Sequence, residues 1–187
     1  MQAYAKYEAF VASLAEVLLR NRDVSQVRSG LRNFITGGSE VNHQVDVSFL
    51  DRATEPYTLV LIECKYIQEP IKLAYVKVLK ATVDDISIQQ AGVTIKGILV
   101  SLLGAQRGAS KYAAHYGIDL QVVSDGSFYR FKYADLELIA SCGIAHGLST
   151  ANGCGAALLT CAGCGALFER NEMSTHCNTC TLAKNDD

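Results

Sequence analysis

Two short stretches, Gln44-Val45-Asp46-Val47 and Ile62-Glu63-Cys64-Lys65, decide the fold of this chain. Each is typical of a β-strand, and each carries charged residues inside an apolar run. A turn-prone loop with a proline lies between them. The pattern therefore predicts two paired strands, at roughly 43–50 and 58–66.

The charged side chains of these strands should meet on one surface. Because strand side chains alternate between the two faces of a sheet, Glu63 and Lys65 should share a face, and Cys64 should point away into the core. By the same alternation, Asp46 should face away from both of its valine neighbours. Two acids and a lysine on one patch are what a divalent metal and a phosphodiester would require. A structural ion pair at a sheet edge is the alternative interpretation.

A helix is predicted before the strands and another after them. The first carries an apolar stripe with Glu8 at its border and Glu16 nearly opposite: Tyr7, Phe10, Val11, Leu14, Val17 and Leu18. Pro70 is expected to open the second, since its missing N–H costs nothing at the first helical position. The buried stripe of this second helix is Ile71, Val76, Leu79, Val83 and Ile86.

The next segment has the order strand, helix, strand. Residues 97–102 are apolar throughout, 106–116 are helical in pattern and end at Gly117, and 118–123 form another strand. Short links between such elements imply a parallel crossover. The predicted fold class is α/β, a mixed sheet flanked by helices.

Composition limits the function classes. Of 187 residues, 49% are hydrophobic, which is ample for a packed core. No apolar run is long enough to span a bilayer, and the first residues lack the layout of a secretory signal, so we expect a cytoplasmic protein without membrane contact. The net charge of −2 argues against a strongly basic, nonspecific nucleic-acid binder. Any contact with DNA must then rely on local cations or on metal.

Four of the seven cysteines form two CxxC pairs, which are Cys161 with Cys164 and Cys177 with Cys180. Paired thiolates at this spacing are typical of a tetrahedral zinc site, and a redox-active CxxC is the competing interpretation. We divide the chain into a core domain at 1–140, a Gly/Ala-rich linker at 141–157, and a zinc ribbon with a polar tail at 158–187. Zinc should supply most of the folding energy of the ribbon.

The motif order resembles a known family of nucleases. Val45-Asp46, followed by Glu63-Cys64-Lys65, is similar to the PD-(D/E)xK motif, and the helix carrying Glu8 matches the acidic helix that often precedes it. The segments Gly97-Ile98-Leu99-Val100-Ser101 and Gly108-Ala109-Ser110-Lys111-Tyr112-Ala113 resemble the second half of Mrr-like restriction endonucleases. The resemblance covers about residues 5–123 and implies a restriction-endonuclease-like core.

The resemblance also implies a set of roles. Asp46 and Glu63 would bind Mg²⁺ or Mn²⁺, with the backbone carbonyl of Cys64 as a further ligand. Lys65 would position or deprotonate a water, or stabilise developing charge. Glu8 would hold a ligand, a water or a second metal.

The predicted function is therefore a metal-dependent DNA endonuclease whose zinc ribbon helps hold DNA or a partner. Double-strand cutting with one site per chain would point to a homodimer. The alternatives are a nuclease-fold module that binds DNA or protein without cutting, and an unrelated zinc-stabilised structural protein.

Overall fold

The computed structural model describes residues 3–124, 128–141, 158–160 and 167–169. The helices are α1 (Ala3–Leu18), α2 (Leu73–Gln89) and α3 (Arg107–Tyr116). The strands, in chain order, are β1 (Arg28–Ser29), β2 (Phe34–Thr36), β3 (Asn42–Gln44), β4 (Val47–Asp51), β5 (Thr58–Lys65), β6 (Thr94–Ser101), β7 (Asp119–Val122), β8 (Phe128–Tyr133), β9 (Leu136–Ser141), β10 (Leu158–Thr160) and β11 (Leu167–Glu169).

A five-stranded mixed sheet forms the centre of the fold. Its order is β1-β4-β5-β6-β7, antiparallel from β1 to β5 and parallel from β5 to β7. The second half of β6 is covered on both faces of the sheet, and its apolar residues Ile98, Leu99 and Val100 are fully buried. The predicted fold class, a mixed sheet flanked by helices, is confirmed.

Alternation along β5 produces one apolar cluster on each side of the sheet. Ile62 and Cys64 pack with the buried face of α1, whereas Leu61 packs with α2 and α3. The predicted stripe of α1 is buried except for Phe10, which is partly buried. Helix α3 ends as expected at Gly117, whose φ of 69° is a left-handed conformation that glycine adopts without strain.

The prediction of one strand over 43–50 is wrong at Asp46. Strand β3 ends at Gln44 and pairs with β2, whereas β4 begins at Val47 and pairs with β5. The chain bends between them, so Val45 packs with the α2 cluster and Val47 with the α1 cluster. Asp46 therefore does not follow strand alternation, because two different strands flank it.

The prediction that Pro70 opens α2 is also wrong. The N–H of Ile71 donates to Gly104 O at 2.9 Å, and the N–H of Gln106 donates to Ile71 O at 3.0 Å. This bridge to the loop before α3 holds Ile71 in an extended conformation, so the helix begins at Leu73. Ile71 is still buried, as its place in the apolar pattern indicated.

Two hairpins complete the described core. The ribbon β2–β3 is docked on α2, where His43 Nε2 lies 2.6 Å from Asp85 Oδ2 and the Ser39 N–H donates to Asp85 Oδ1 at 2.9 Å. The hairpin β8–β9 adds Phe131, Tyr133 and Leu138 to the α1 cluster. Strands β10 and β11 pair with each other antiparallel. No helix in the described ranges combines the length and the apolarity that a membrane crossing needs.

Candidate active site

Asp46 lies beside Glu63 because of the register of β4 and β5. Val47 pairs with Ile62, which places the bend before Val47 next to the residue that follows Ile62. The carboxylate is buried, with 6% of the residue exposed, and its Oδ2 accepts a hydrogen bond from the Cys64 N–H at 2.7 Å. The end of β5 thus fixes the orientation of the Asp46 side chain.

A buried asparagine holds the bend on which Asp46 lies. Asn33 Nδ2 donates to Val45 O at 2.8 Å, and the Val45 N–H donates to Asn33 O at 2.9 Å. Asn33 Oδ1 also accepts from Ser48 Oγ at 3.0 Å. These bonds attach the bend on both sides of Asp46, so Asn33 is a positioning residue. Asn33 is not among the residues predicted from the sequence, since no motif or periodicity distinguishes this asparagine.

Glu63 and Lys65 extend from the same face of β5, as predicted, and form an ion pair. Burial and the nearby Asp46 carboxylate raise the pKa of Glu63, although Lys65 opposes this shift. Burial would lower the pKa of Lys65, but the Glu63 carboxylate and the bond to it outweigh burial, and the pKa is raised. The ammonium also lies 5.6 Å from the centre of the Tyr75 ring. Lys65 is therefore a cation at neutral pH.

Helix α1 contributes Glu8 and Tyr4 to the same place. Glu8 is buried and hydrogen-bonded to Asp46, and burial together with the Asp46 charge raises its pKa to about 7. Tyr4 OH donates to Asp46 Oδ2 at 3.1 Å, and burial with the neighbouring acids raises the pKa of the Tyr4 phenol. Tyr4 was missed, although its place one helical turn before Glu8 is a signal that could have identified it.

Cys64 points away from the charged patch, as predicted. It is fully buried in the α1 cluster, and burial raises the pKa of its thiol well above the ordinary value. A ligand role for its backbone carbonyl stays a prediction. The zinc ligands predicted at Cys161, Cys164, Cys177 and Cys180 lie outside the described residues.

The donor set suits a hard divalent cation. Glu8 is hydrogen-bonded to Asp46, and the Glu63 carboxyl is near enough to interact with the Asp46 charge. Burial first, and the Asp46 charge second, raise the pKa of Glu8 and of Glu63, and a bound cation would favour their ionised forms. Within the described ranges, no group of three or more His, Cys, Asp or Glu side chains is placed to hold a metal ion by itself. Mg²⁺ commonly takes only one or two protein carboxylates and completes its shell with water and substrate phosphates.

No protein-family model and no curated protein sequence matches the chain. Among solved structures, the protein of unknown function AF1548 is similar, with a TM-score of 0.47 and 20% identity over 62% of this chain and 58% of its own. A repair endonuclease from Pyrococcus abyssi matches with a TM-score of 0.40 and 22% identity, over 61% and 46% of the two chains.

EndoMS in its apo form is also similar, with a TM-score of 0.42 and 16% identity over 68% of this chain and 48% of that one. This chain thus spans about half the length of each of these three structures. Endonucleases are among these neighbours. At such low identities, the chemistry of the site rests on the residues of this chain.

Proposed function

We propose that the protein is a DNA endonuclease of the PD-(D/E)xK, Mrr-like type that depends on Mg²⁺ or Mn²⁺. The observation that carries the proposal is the convergence of Asp46, Glu63, Lys65 and Glu8 at the adjoining ends of β4, β5 and α1. A buried acidic cluster beside a lysine has the charges that hydrolysis of a phosphodiester needs. DNA is the substrate that the sequence resemblance implies.

Asp46 and Glu63 would hold the metal, which when bound lowers the pKa of a water and withdraws charge from the scissile phosphate. The raised pKa of Lys65 keeps its ammonium protonated, which suits stabilisation of developing negative charge better than removal of a proton. Glu8, with a pKa of about 7, can hold or release a proton beside Asp46 near neutral pH. Tyr4 donates a hydrogen bond that orients the same carboxylate.

The remaining parts of the proposal come from the sequence. The four cysteines at 161–180 would bind zinc in a ribbon that assists binding of DNA or a partner. A homodimer would supply the second active site for double-strand cutting, and the cytoplasm is the expected compartment.

A catalytically silent binding module of the same fold is the second candidate. The ion pair between Glu63 and Lys65 favours it, because each group already satisfies the charge of the other. In the enzyme, by contrast, substrate and metal would have to compete with this pair.

Cleavage assays on plasmid, linear and methylated DNA with Mg²⁺ or Mn²⁺ separate the two candidates. We expect the wild type to cut and Asp46→Ala and Lys65→Ala to lose at least about a hundredfold in rate, as is usual when a charge-stabilising group is removed. Lys96→Ala is the matched control, since Lys96 lies on the next strand and pairs with Asp119 at 2.9 Å. Cutting that persists in both variants would exclude this site. Binding without cutting on any of the substrates would establish the silent module.

A further inference from the structure

A groove near the start of β5, at the opposite end of this strand from Glu63, has no role in the proposed chemistry. It lies between the ribbon β2–β3, the sheet and the C-terminal end of α2, with a volume of about 490 Å³. Among its lining residues are Arg28, Phe34, Leu59, Gln89 and Gln90. The groove is thus large enough for a group the size of a nucleotide and combines apolar, amide and cationic side chains.

The apolar part of the groove is partly open to solvent. Phe34 is 47% exposed although it is on a strand, and Leu50 and Leu59 on the sheet are only partly buried. An exposed aromatic ring beside aliphatic side chains is a surface on which a flat, unstacked base can lie. This surface would remain partly wet without an occupant.

The polar part of the groove has unused hydrogen-bonding capacity. Within the described ranges, the side chains of Arg28, Gln89 and Gln90 form no hydrogen bond or ion pair. A glutamine amide offers both donors and acceptors, which suits the edge of a base, and a guanidinium suits a phosphate. Together with Phe34, these groups match three features of a nucleotide that proteins recognise. Phe34 matches the face of the base, the glutamine amides match its edge, and the Arg28 guanidinium matches the charged phosphate.

The groove is connected directly to the catalytic bend. Phe34 pairs with Gln44 across the ribbon, and at most about 7 Å of chain separates Gln44 from Asp46. Asn33, next to Phe34, is the residue that holds the bend. Leu59 in the groove is four residues before Glu63 on β5, about 13 Å along the strand, so a DNA strand with one nucleotide in the groove would reach the acidic cluster a few nucleotides further on.

We propose that this groove binds one unpaired nucleotide, with the base on Phe34, its edge at Gln89 and Gln90, and a phosphate at Arg28. The choice of a DNA strand as the source of that nucleotide rests on the proposed function. The groove would give the protein a preference for DNA that contains an unpaired or easily unstacked base.

Binding is measured without cutting, in full-length protein carrying Asp46→Asn and without divalent metal. Fluorescence anisotropy compares a labelled duplex with one central unpaired nucleotide and the same duplex fully paired. We expect tighter binding of the first probe, and about a tenfold loss of that affinity in Phe34→Ala, because base stacking on an aromatic side chain typically contributes that much. Phe34→Tyr should still bind the probe with an unpaired nucleotide more tightly than the paired one. Arg28→Gln should bind both probes more weakly, and its affinity should change less with salt concentration.

Val78→Ala is the matched control, since Val78 is an exposed apolar residue of α2 outside the groove lining. A free deoxynucleotide added as competitor shows which ligand the groove binds. If it displaces the probe, the ligand is a soluble nucleotide. If it does not, the ligand is a nucleotide within a DNA strand. Equal affinity for the two probes, or Phe34→Ala binding like the parent, would overturn the proposal. If the wild type cuts DNA but does not prefer the probe with an unpaired nucleotide, the proposed nuclease activity stands and the nucleotide-binding groove is rejected. If the protein prefers that probe but the wild type does not cut, the groove stands and the nuclease activity is rejected.

Discussion

At the scale of single residues, Glu8 shows how burial and a neighbouring charge act together on one carboxyl. Its position at the border of the apolar stripe placed it near the interior, and burial, with the Asp46 charge and hydrogen bond added to it, raises the pKa of Glu8 to about 7. The protonated form is favoured in the folded state. In the unfolded chain the same group ionises near its ordinary value of 4.5.

The Glu8→Gln variant tests this shift through thermal unfolding of metal-free protein. Between about pH 4.5 and 7 the unfolded chain releases the Glu8 proton while the folded protein keeps it. The contribution of Glu8 to the free energy of unfolding is therefore fully present below pH 4.5 and is lost as the pH rises to about 7. Glutamine is neutral at every pH, so the free energy of unfolding of the variant does not include this loss. At pH 8 we expect Glu8→Gln to be more stable by about 1 kcal/mol, or roughly 2–4 °C in Tm, allowing for screening by solvent.

The exposed Glu16 on the opposite side of α1 supplies the control. Glu16→Gln should leave the pH dependence of Tm as in the wild type. A Tm difference between Glu8→Gln and the wild type that stays constant from pH 5 to 8 would show that Glu8 has an ordinary pKa.

At the scale of elements, the ribbon β2–β3 connects α2 to the catalytic bend. Its turn lies against α2 so closely that a Cβ on Gly37 would stand 2.0 Å from Asp85 Oδ2 and 3.0 Å from His43 Nε2. Asp85 Oδ2 also accepts a hydrogen bond from the Ser39 hydroxyl at 2.6 Å. The ribbon is therefore held at its turn by Asp85 and at its base by Asn33.

Gly37→Ala should loosen this contact and thereby disturb Asp46, which follows β3. We expect a loss of about 1–3 kcal/mol in the free energy of unfolding by urea, as for other overpacked positions, and a lower cleavage rate. Gly108→Ala is the matched control, because a Cβ at this helical position meets nothing within 4 Å. If Gly37→Ala has wild-type stability and rate, the docking of the ribbon does not position the site.

At the scale of the whole molecule, the source of stability differs between the described core, which has apolar clusters, and the cysteine-rich C-terminal region, for which we predict a bound metal. The core is stabilised by two apolar clusters on either side of one sheet. The hairpin β8–β9 is tied to this core by Tyr133 OH, which donates to the fully buried Asp51 at 2.8 Å. Arg22 Nε contacts the same Asp51 oxygen at 2.9 Å, so the buried charge has a partner.

For the C-terminal region we predict one zinc ion per chain. Elemental analysis of purified protein should find about one equivalent, because four thiolates complete a tetrahedral shell. Cys177→Ser should lower the zinc content well below one equivalent. Cys142→Ser, outside the two CxxC pairs, should leave it unchanged. Zinc-free protein purified without chelators would contradict the assignment.

The sequence by itself determined most of the core. Alternation and helical periodicity identified the central strands and the buried helix faces, because these patterns are local and repeat within one element. The same alternation correctly placed Glu63 and Lys65 on one face and Cys64 in the interior.

Only the tertiary structure decided how Asp46 reaches that face. The break between β3 and β4 arises because the two strands pair with different partners, and Asn33 holds the bend from 12 residues away in sequence. Likewise, Pro70 lies outside α2 because Ile71 bonds to a loop more than 30 residues further on. Such contacts depend on which distant segments meet. No pattern within one element carries that information. The sequence predicted which acids cluster with Lys65, whereas the bend at Asp46, the asparagine that holds it and the groove became visible only in the folded chain.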